Sequence, residues 1–147
     1  MDTQITAKLK INKPASEVFD AIVDPVKIGH FWFSSSSERW AQGKSITVKY
    51  DEYGAEGILN VLDFEENKKI VFSWGVETNE ETVVAITLNE TNHLSTIIEV
   101  NESGLDENDP EAVSKMLGQK EGWIYMLTCL KGYLEHGISD LRAALIH

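Results

Sequence analysis

An apolar rhythm in the last quarter of the chain constrains the fold more than any other feature. Trp123, Leu127, Leu130, Leu134, Ile138, Leu141 and Leu145 follow one another at steps of four, three, four, four, three and four. That spacing lays one stripe down a single helical face, and it predicts one long helix over residues 110–147. At about 1.5 Å per residue such a helix runs roughly 50 Å, so it needs a broad surface to lie on. Gly118, Gly122, Gly132 and Gly137 fall within it, and each costs roughly 0.5–1 kcal/mol relative to alanine in a helix interior. Something must offset that cost: close approach of a strand, or a bend with space for a ligand. Gly122 beside Trp123 is the most suggestive of the four, and a kink near Gly118 is an equal alternative.

The preceding residues read as the required surface. Ile5, Ala7, Leu9 and Ile11 alternate with polar neighbours, which is the pattern of a half-buried strand. Pro14, Ser16 and Glu17 favour a helix start, Val18, Phe19 and Ile22 give that helix its apolar face, and Asp24-Pro25 breaks it. A second short helical turn is predicted from Val26 to His30. From Gly43 onward the pattern is a meander. Ile46, Val48 and Tyr50 share a face, as do Gly57, Leu59 and Val61, although Ile58, Leu62 and Phe64 complicate that strand. Ile70, Phe72 and Trp74 follow, then Val84, Ile86 and Leu88, then Leu94, Thr96, Ile98, Val100 and Glu102. Short polar connections between these runs fit antiparallel hairpins. The class expected is α+β, a curved antiparallel sheet wrapped around a long C-terminal helix, in one domain spanning residues 1–147.

Bulk properties narrow the function. The chain has 147 residues and a net charge of -11, with 24 acids against 13 scattered bases. Such a surface repels nucleic acid, so no nucleic-acid partner is expected. The N-terminus has no apolar signal region, and no stretch approaches the roughly 18 apolar residues of a membrane span. A cytoplasmic protein with no membrane insertion is the expectation. The lone Cys129 cannot close an internal disulfide and reads as a small buried side chain. His30, His93, His136 and His147 show no metal-site spacing, and no phosphate-cradling loop is present, so no metal or other cofactor is expected.

Three segments in order resemble one family. Pro14-Ala15-Ser16-Glu17-Val18-Phe19-Asp20-Ala21 with Asp24-Pro25, then Gly57 onward to Ile70-Val71-Phe72-Ser73-Trp74, then Glu121-Gly122-Trp123 with Leu127, Leu130 and Leu134, are similar to the Aha-type family. Its members are homologues of the activator of the heat-shock protein 90 ATPase, within the SRPBCC/START-like helix-grip superfamily. The resemblance implies a helix-grip fold with two short helices after the first strand and a hydrophobic cavity between sheet and C-terminal helix. It does not imply one function, since relatives include lipid carriers, hormone receptors, polyketide aromatases and cyclases, and chaperone regulators. The chain departs from the pattern in a longer hairpin between Leu62 and Ile70, and in Glu102, where many relatives carry another polar residue, often histidine.

Large apolar groups are in surplus on the faces that must meet, and a curved sheet that diverges from a helix leaves space for a small apolar molecule. The candidate ligand-binding residues are Trp32, Trp40, Tyr50, Phe72, Trp74, Ile86, Ile98, Glu102, Trp123 and Met126. The same aromatics could instead fill the space. Phe31-Trp32-Phe33 cannot all face one core from a regular strand, so at least one is expected at a loop or cavity rim. Glu102 shares the inward face of its strand and could act as acid or base or bind a ligand hydroxyl, against the plainer reading of a solvated charge at a strand end. The leading function is a binding protein for a small hydrophobic or aromatic molecule, lipid- or polyketide-like. The alternatives are a heat-shock chaperone co-factor with a stress-response role, touching its partner through acidic loops at residues 51–56 and 106–111, and a cyclase or dehydratase using the same cavity. Enzymatic activity is the less favoured reading, and no catalytic residue is assigned.

Overall fold

The alternation at the N-terminus becomes strand β1 (Ile5–Ile11), with Ile5, Ala7 and Ile11 buried. Pro14 sits at the N-cap of helix α1 (Ala15–Val23) with φ -63°, where a missing N–H costs no helical bond. Asp24 ends that helix and starts a turn, its carboxylate accepting from the backbone N–H groups of Val26 at 2.8 Å and Lys27 at 3.1 Å. The second helical piece is a single 3-10 turn, Lys27–His30. The computed structural model describes residues 1–146. Strands β2 (Ser35–Ser36), β3 (Ser45–Tyr50), β4 (Ala55–Glu65), β5 (Lys69–Trp74), β6 (Thr82–Asn92) and β7 (Ser95–Ser103) then form the meander. With β1 they make one antiparallel seven-stranded sheet in the order β1-β7-β6-β5-β4-β3-β2. This is an α+β helix-grip fold. Among the described residues, no helix is long and apolar enough to cross a membrane.

The ambiguous fourth strand is explained by a β-bulge. Val61 pairs with Phe72, but the next pair is Asp63 with Val71. The extra residue switches the inward parity from odd to even. Leu59 and Val61 therefore face the core before the bulge, and Phe64 faces it afterwards, edge-on to Phe19 at 5.1 Å. Ile58 and Leu62 are left outside, each 49% exposed. Leu94 departs from its expected face as well. It lies in the β6–β7 turn and is exposed, because the inward register of β7 begins only with Thr96.

The C-terminal stripe divides in two. Helix α2 spans Ala112–His136 and stops at Gly137, whose φ of +68° is left-handed and open to glycine at little steric cost. The Gly137 N–H donates to the Tyr133 carbonyl at 2.9 Å, and that of Ile138 to the Gly132 carbonyl at 3.2 Å. The expected helix over residues 110–147 is thus too long by its last turns, and residue 147 itself lies outside the described residues. Ile138 and Leu141 do not continue the stripe. They fold back over Gly132, where a Cβ would meet Leu141 Cδ1 at 3.6 Å and Ile138 Cβ at 4.0 Å. The apolar rhythm continues past the cap because Ile138 and Leu141 of the returning segment pack over Gly132, although both stay exposed on their outer side.

Along α2 the burial is uneven. Ala112 is buried at its start, and then no residue is buried until Trp123, Met126, Leu127, Cys129 and Leu130. The later turns are tied to the sheet edge. Lys131 donates to the Lys10 carbonyl at 2.9 Å, and Glu135 accepts from the Asn12 backbone N–H at 2.9 Å. The earlier turns stand off from β3, β4 and β5, and the candidate site lies in that gap.

Candidate functional site

The site is built around one carboxylate. Strand alternation turns Glu102 inward at the end of β7, opposite Val84 on β6 and Ile5 on β1. It is 1% exposed and far from a solvated strand-end charge. Oε1 accepts from Gln119 Nε2 and Trp123 Nε1, both at 2.9 Å. Oε2 accepts from Thr82 Oγ1 at 2.6 Å and Trp74 Nε1 at 3.0 Å. Gln119 and Trp123 are one helical turn apart on α2, so both reach the same oxygen. Trp74 and Thr82 are direct cross-strand partners on β5 and β6. The Trp74 N–H is shared, also reaching Thr82 Oγ1 at 2.9 Å. Four donors complement an ionised carboxylate with its roughly four lone-pair sites. One buried group thereby joins three strands to the long helix.

The two indoles that point at Glu102 stack on each other, with centroids 5.4 Å apart. Around them lie two chambers. The larger, about 460 Å³, is bordered by Phe33, Val48, Tyr50, Ala55, Gly57, Ile58, Trp74, Thr82, Glu102, Leu105, Gly118 and Gln119. Glu56, Glu77, Glu80 and Lys115 also border it. Hydrogen bonds from Lys115 to Asp109 and then Glu80 hold its ammonium well above the usual lysine range. The smaller chamber, about 250 Å³, is bordered by Phe31, Trp32, Tyr53, Gly122, Trp123, Tyr125, Met126, Arg142 and Leu145. Tyr50, Trp74 and Gln119 border both and form the partition. Burial pushes the Tyr50 phenol above its usual range, opposed by the nearby Arg142 guanidinium. Gly118 and Gly122 face these spaces, and a Cβ at either would meet nothing within 4 Å. Gly118 and Gly122 have open space beside them, whereas Gly132 is met by the Leu141 and Ile138 side chains and not by the strand that was one of the expected offsets.

A family model described as activator of Hsp90 ATPase homolog 1-like protein matches residues 12–135. The chain belongs to that family. This family member is similar in structure to SSP2350 from Staphylococcus saprophyticus, with 46% identity, a TM-score of 0.80, and coverage of 92% of this chain and 94% of that one. The Aha1 dimer of Colwellia psychrerythraea shares the fold at 18% identity and a TM-score of 0.77, over 91% of this chain and 97% of that one. DynU16, a protein of the dynemicin biosynthetic locus, does so at 23% identity and a TM-score of 0.81, with 95% of this chain covering 49% of that one. No curated protein matches the sequence.

In this Aha-like chain the sequence-derived candidates divide. Trp32, Tyr50, Trp74, Glu102, Trp123 and Met126 border one or both chambers. Trp40, Phe72, Ile86 and Ile98 border neither, being at most 1% exposed in the core. Residues on a shared strand face lie at different distances from the helix, and only strand ends nearest the gap reach open space. Trp40 and Phe72 support the wall from behind, edge to face at 5.5 Å. The aromatic triplet turns inward at all three positions because its backbone is irregular, with Phe31 at φ -147° and ψ -13°. The sequence does not single out Gln119 and Arg142 as site residues, and it marks Phe33 only as part of the aromatic triplet expected to reach a loop or cavity rim. Gln119 carried a usable signal, lying four residues before Trp123. Arg142 carried none, because the rhythm placed it on a continuing helix. Cys129 is buried, and that burial pushes its thiol up. Among the described residues, no cluster of His, Cys, Asp and Glu could hold a metal ion.

Proposed function

We propose that this chain binds a small hydrophobic or aromatic molecule in the paired chambers between the sheet and α2. The larger chamber supports this reading most. It offers about 460 Å³, within the usual range for small-molecule sites, and its largely apolar walls meet a charged rim of Glu56, Glu77, Glu80 and Lys115. Catalysis with Glu102 as acid or base is the weaker alternative, because four protein donors already occupy its acceptor sites. A chaperone contact through the acidic loops would leave the chambers without a use.

The test uses N-phenyl-1-naphthylamine, a neutral aromatic fluorophore, titrated into the wild-type protein and into Gly118→Leu. One probe per wild-type chain is expected, with affinity reduced at least about tenfold in the variant by loss of chamber volume. Folding is expected to survive, because the new side chain enters open space. A wild-type protein that takes up no probe, or a folded variant that binds it equally well, rules out the chambers as the binding site.

A further inference from the structure

Arg142 lies in the segment that folds back after α2, and its side chain is only 9% exposed. Nε donates to the Trp32 carbonyl at 2.8 Å, and Nη1 pairs with Glu52. The guanidinium lies 5.9 Å from the centre of the Tyr50 ring. Nη2 is buried and has no hydrogen-bond partner among the described residues. A buried charged donor left without an acceptor is costly. Yet Arg142 is held in place by contacts on its other nitrogens and forms part of the smaller chamber's wall. The segment that carries it lies outside helix and sheet, and Nη2 is the one nitrogen of this wall residue left without a protein acceptor among the described residues.

We infer that Arg142 Nη2 receives a hydrogen-bond-accepting oxygen of the bound molecule, so that the ligand is an apolar or aromatic compound carrying a carbonyl group. This inference rests on the binding reading above and adds the chemical class. A neutral carbonyl fits better than an anion, since Glu52 already balances the guanidinium and the chain carries a net charge of -11. The smaller chamber, whose wall includes Arg142, takes the carbonyl end, and the apolar body lies against the Tyr50–Trp74 partition that it shares with the larger chamber.

Two isosteric probes separate the possibilities: 2-acetylnaphthalene, with a carbonyl, and 2-isopropenylnaphthalene, with a methylene in its place. Affinities are read from quenching of tryptophan fluorescence in wild-type protein and Arg142→Met. The wild-type preference for the ketone is expected to fall about tenfold in the variant, the scale of one hydrogen bond to a charged donor. Infrared spectroscopy of the ketone bound to wild-type protein needs no variant. Its carbonyl stretch should lie below the value in cyclohexane. A stretch equal to the cyclohexane value, or an unchanged preference in a folded variant, overturns the carbonyl assignment and leaves the binding reading standing. A 2-naphthoate probe bound more tightly than the ketone overturns the preference for a neutral oxygen. Failure of both naphthalenes to bind overturns the binding reading and this inference with it.

Discussion

Glu102 shows how much one side chain can organise. Its oxygens accept from β5, β6 and α2 while its backbone belongs to β7. Replacing it by glutamine turns one acceptor into a donor that faces other donors. Glu102→Gln is expected to destabilise the fold by about 2–4 kcal/mol, on the scale of two buried hydrogen bonds lost to a charged acceptor. Equilibrium urea unfolding measures this. A change below about 0.5 kcal/mol, the range of an ordinary surface substitution, would contradict the hub. Alternation along the strand was enough to turn this residue inward. Its burial and its four donors were not legible, because they come from elements up to 28 residues away in sequence.

At the scale of the element, α2 balances helix propensity against open space. Gly122→Ala should stabilise the helix by about 0.5–1 kcal/mol, since alanine orders more cheaply and its Cβ meets nothing. The same methyl intrudes on the smaller chamber, so the variant should melt higher and bind 2-acetylnaphthalene more weakly. Thermal unfolding and fluorescence titration report the two effects separately. Gly137→Ala should go the other way in stability, losing about 1 kcal/mol, because alanine at φ +68° is strained. It leaves the chambers' own residues untouched. The contrast tests whether glycine serves space at one position and backbone conformation at the other.

Over the whole molecule, paired carboxylates add surface ties to elements that the hydrophobic core already holds, α1 among them. Asp20 on α1 pairs with Lys27 in the following turn and with Arg39 beyond it. The Lys27 hydrogen bond, helped by Arg39, holds the Asp20 carboxyl below its usual range. Asp109 is lowered by the Lys115 hydrogen bond, then by the Glu111 backbone N–H. A carboxyl whose folded pKa is depressed binds fewer protons folded than unfolded. Its contribution is complete above the unfolded value, near pH 4, and is lost as pH falls through the lower folded value. Urea midpoints should therefore hold between about pH 7 and 5 as regards these groups and fall below about pH 4. Asp20→Asn should flatten part of that fall. An acid limb identical in the variant would remove Asp20 from the account.

Local pattern determined a large share of this architecture. Period-two alternation specified the inward faces of β1, β3, β5, β6 and most of β7, and the three-four rhythm specified the inward face of α2, because each depends only on near neighbours. The tertiary structure decided the rest. The bulge in β4 reverses inward and outward from Val61 to Phe64 through its pairing with β5. The stop at Gly137 is hidden from periodicity, because Ile138 and Leu141 keep the apolar spacing while folding back over Gly132 and remaining exposed. Which aromatics line space and which fill the core depends on where helix and sheet diverge. Trp74 and Phe72 share one strand face, yet one borders both chambers and the other is fully buried. Divergence is a property of two surfaces meeting, and no window of the sequence contains both.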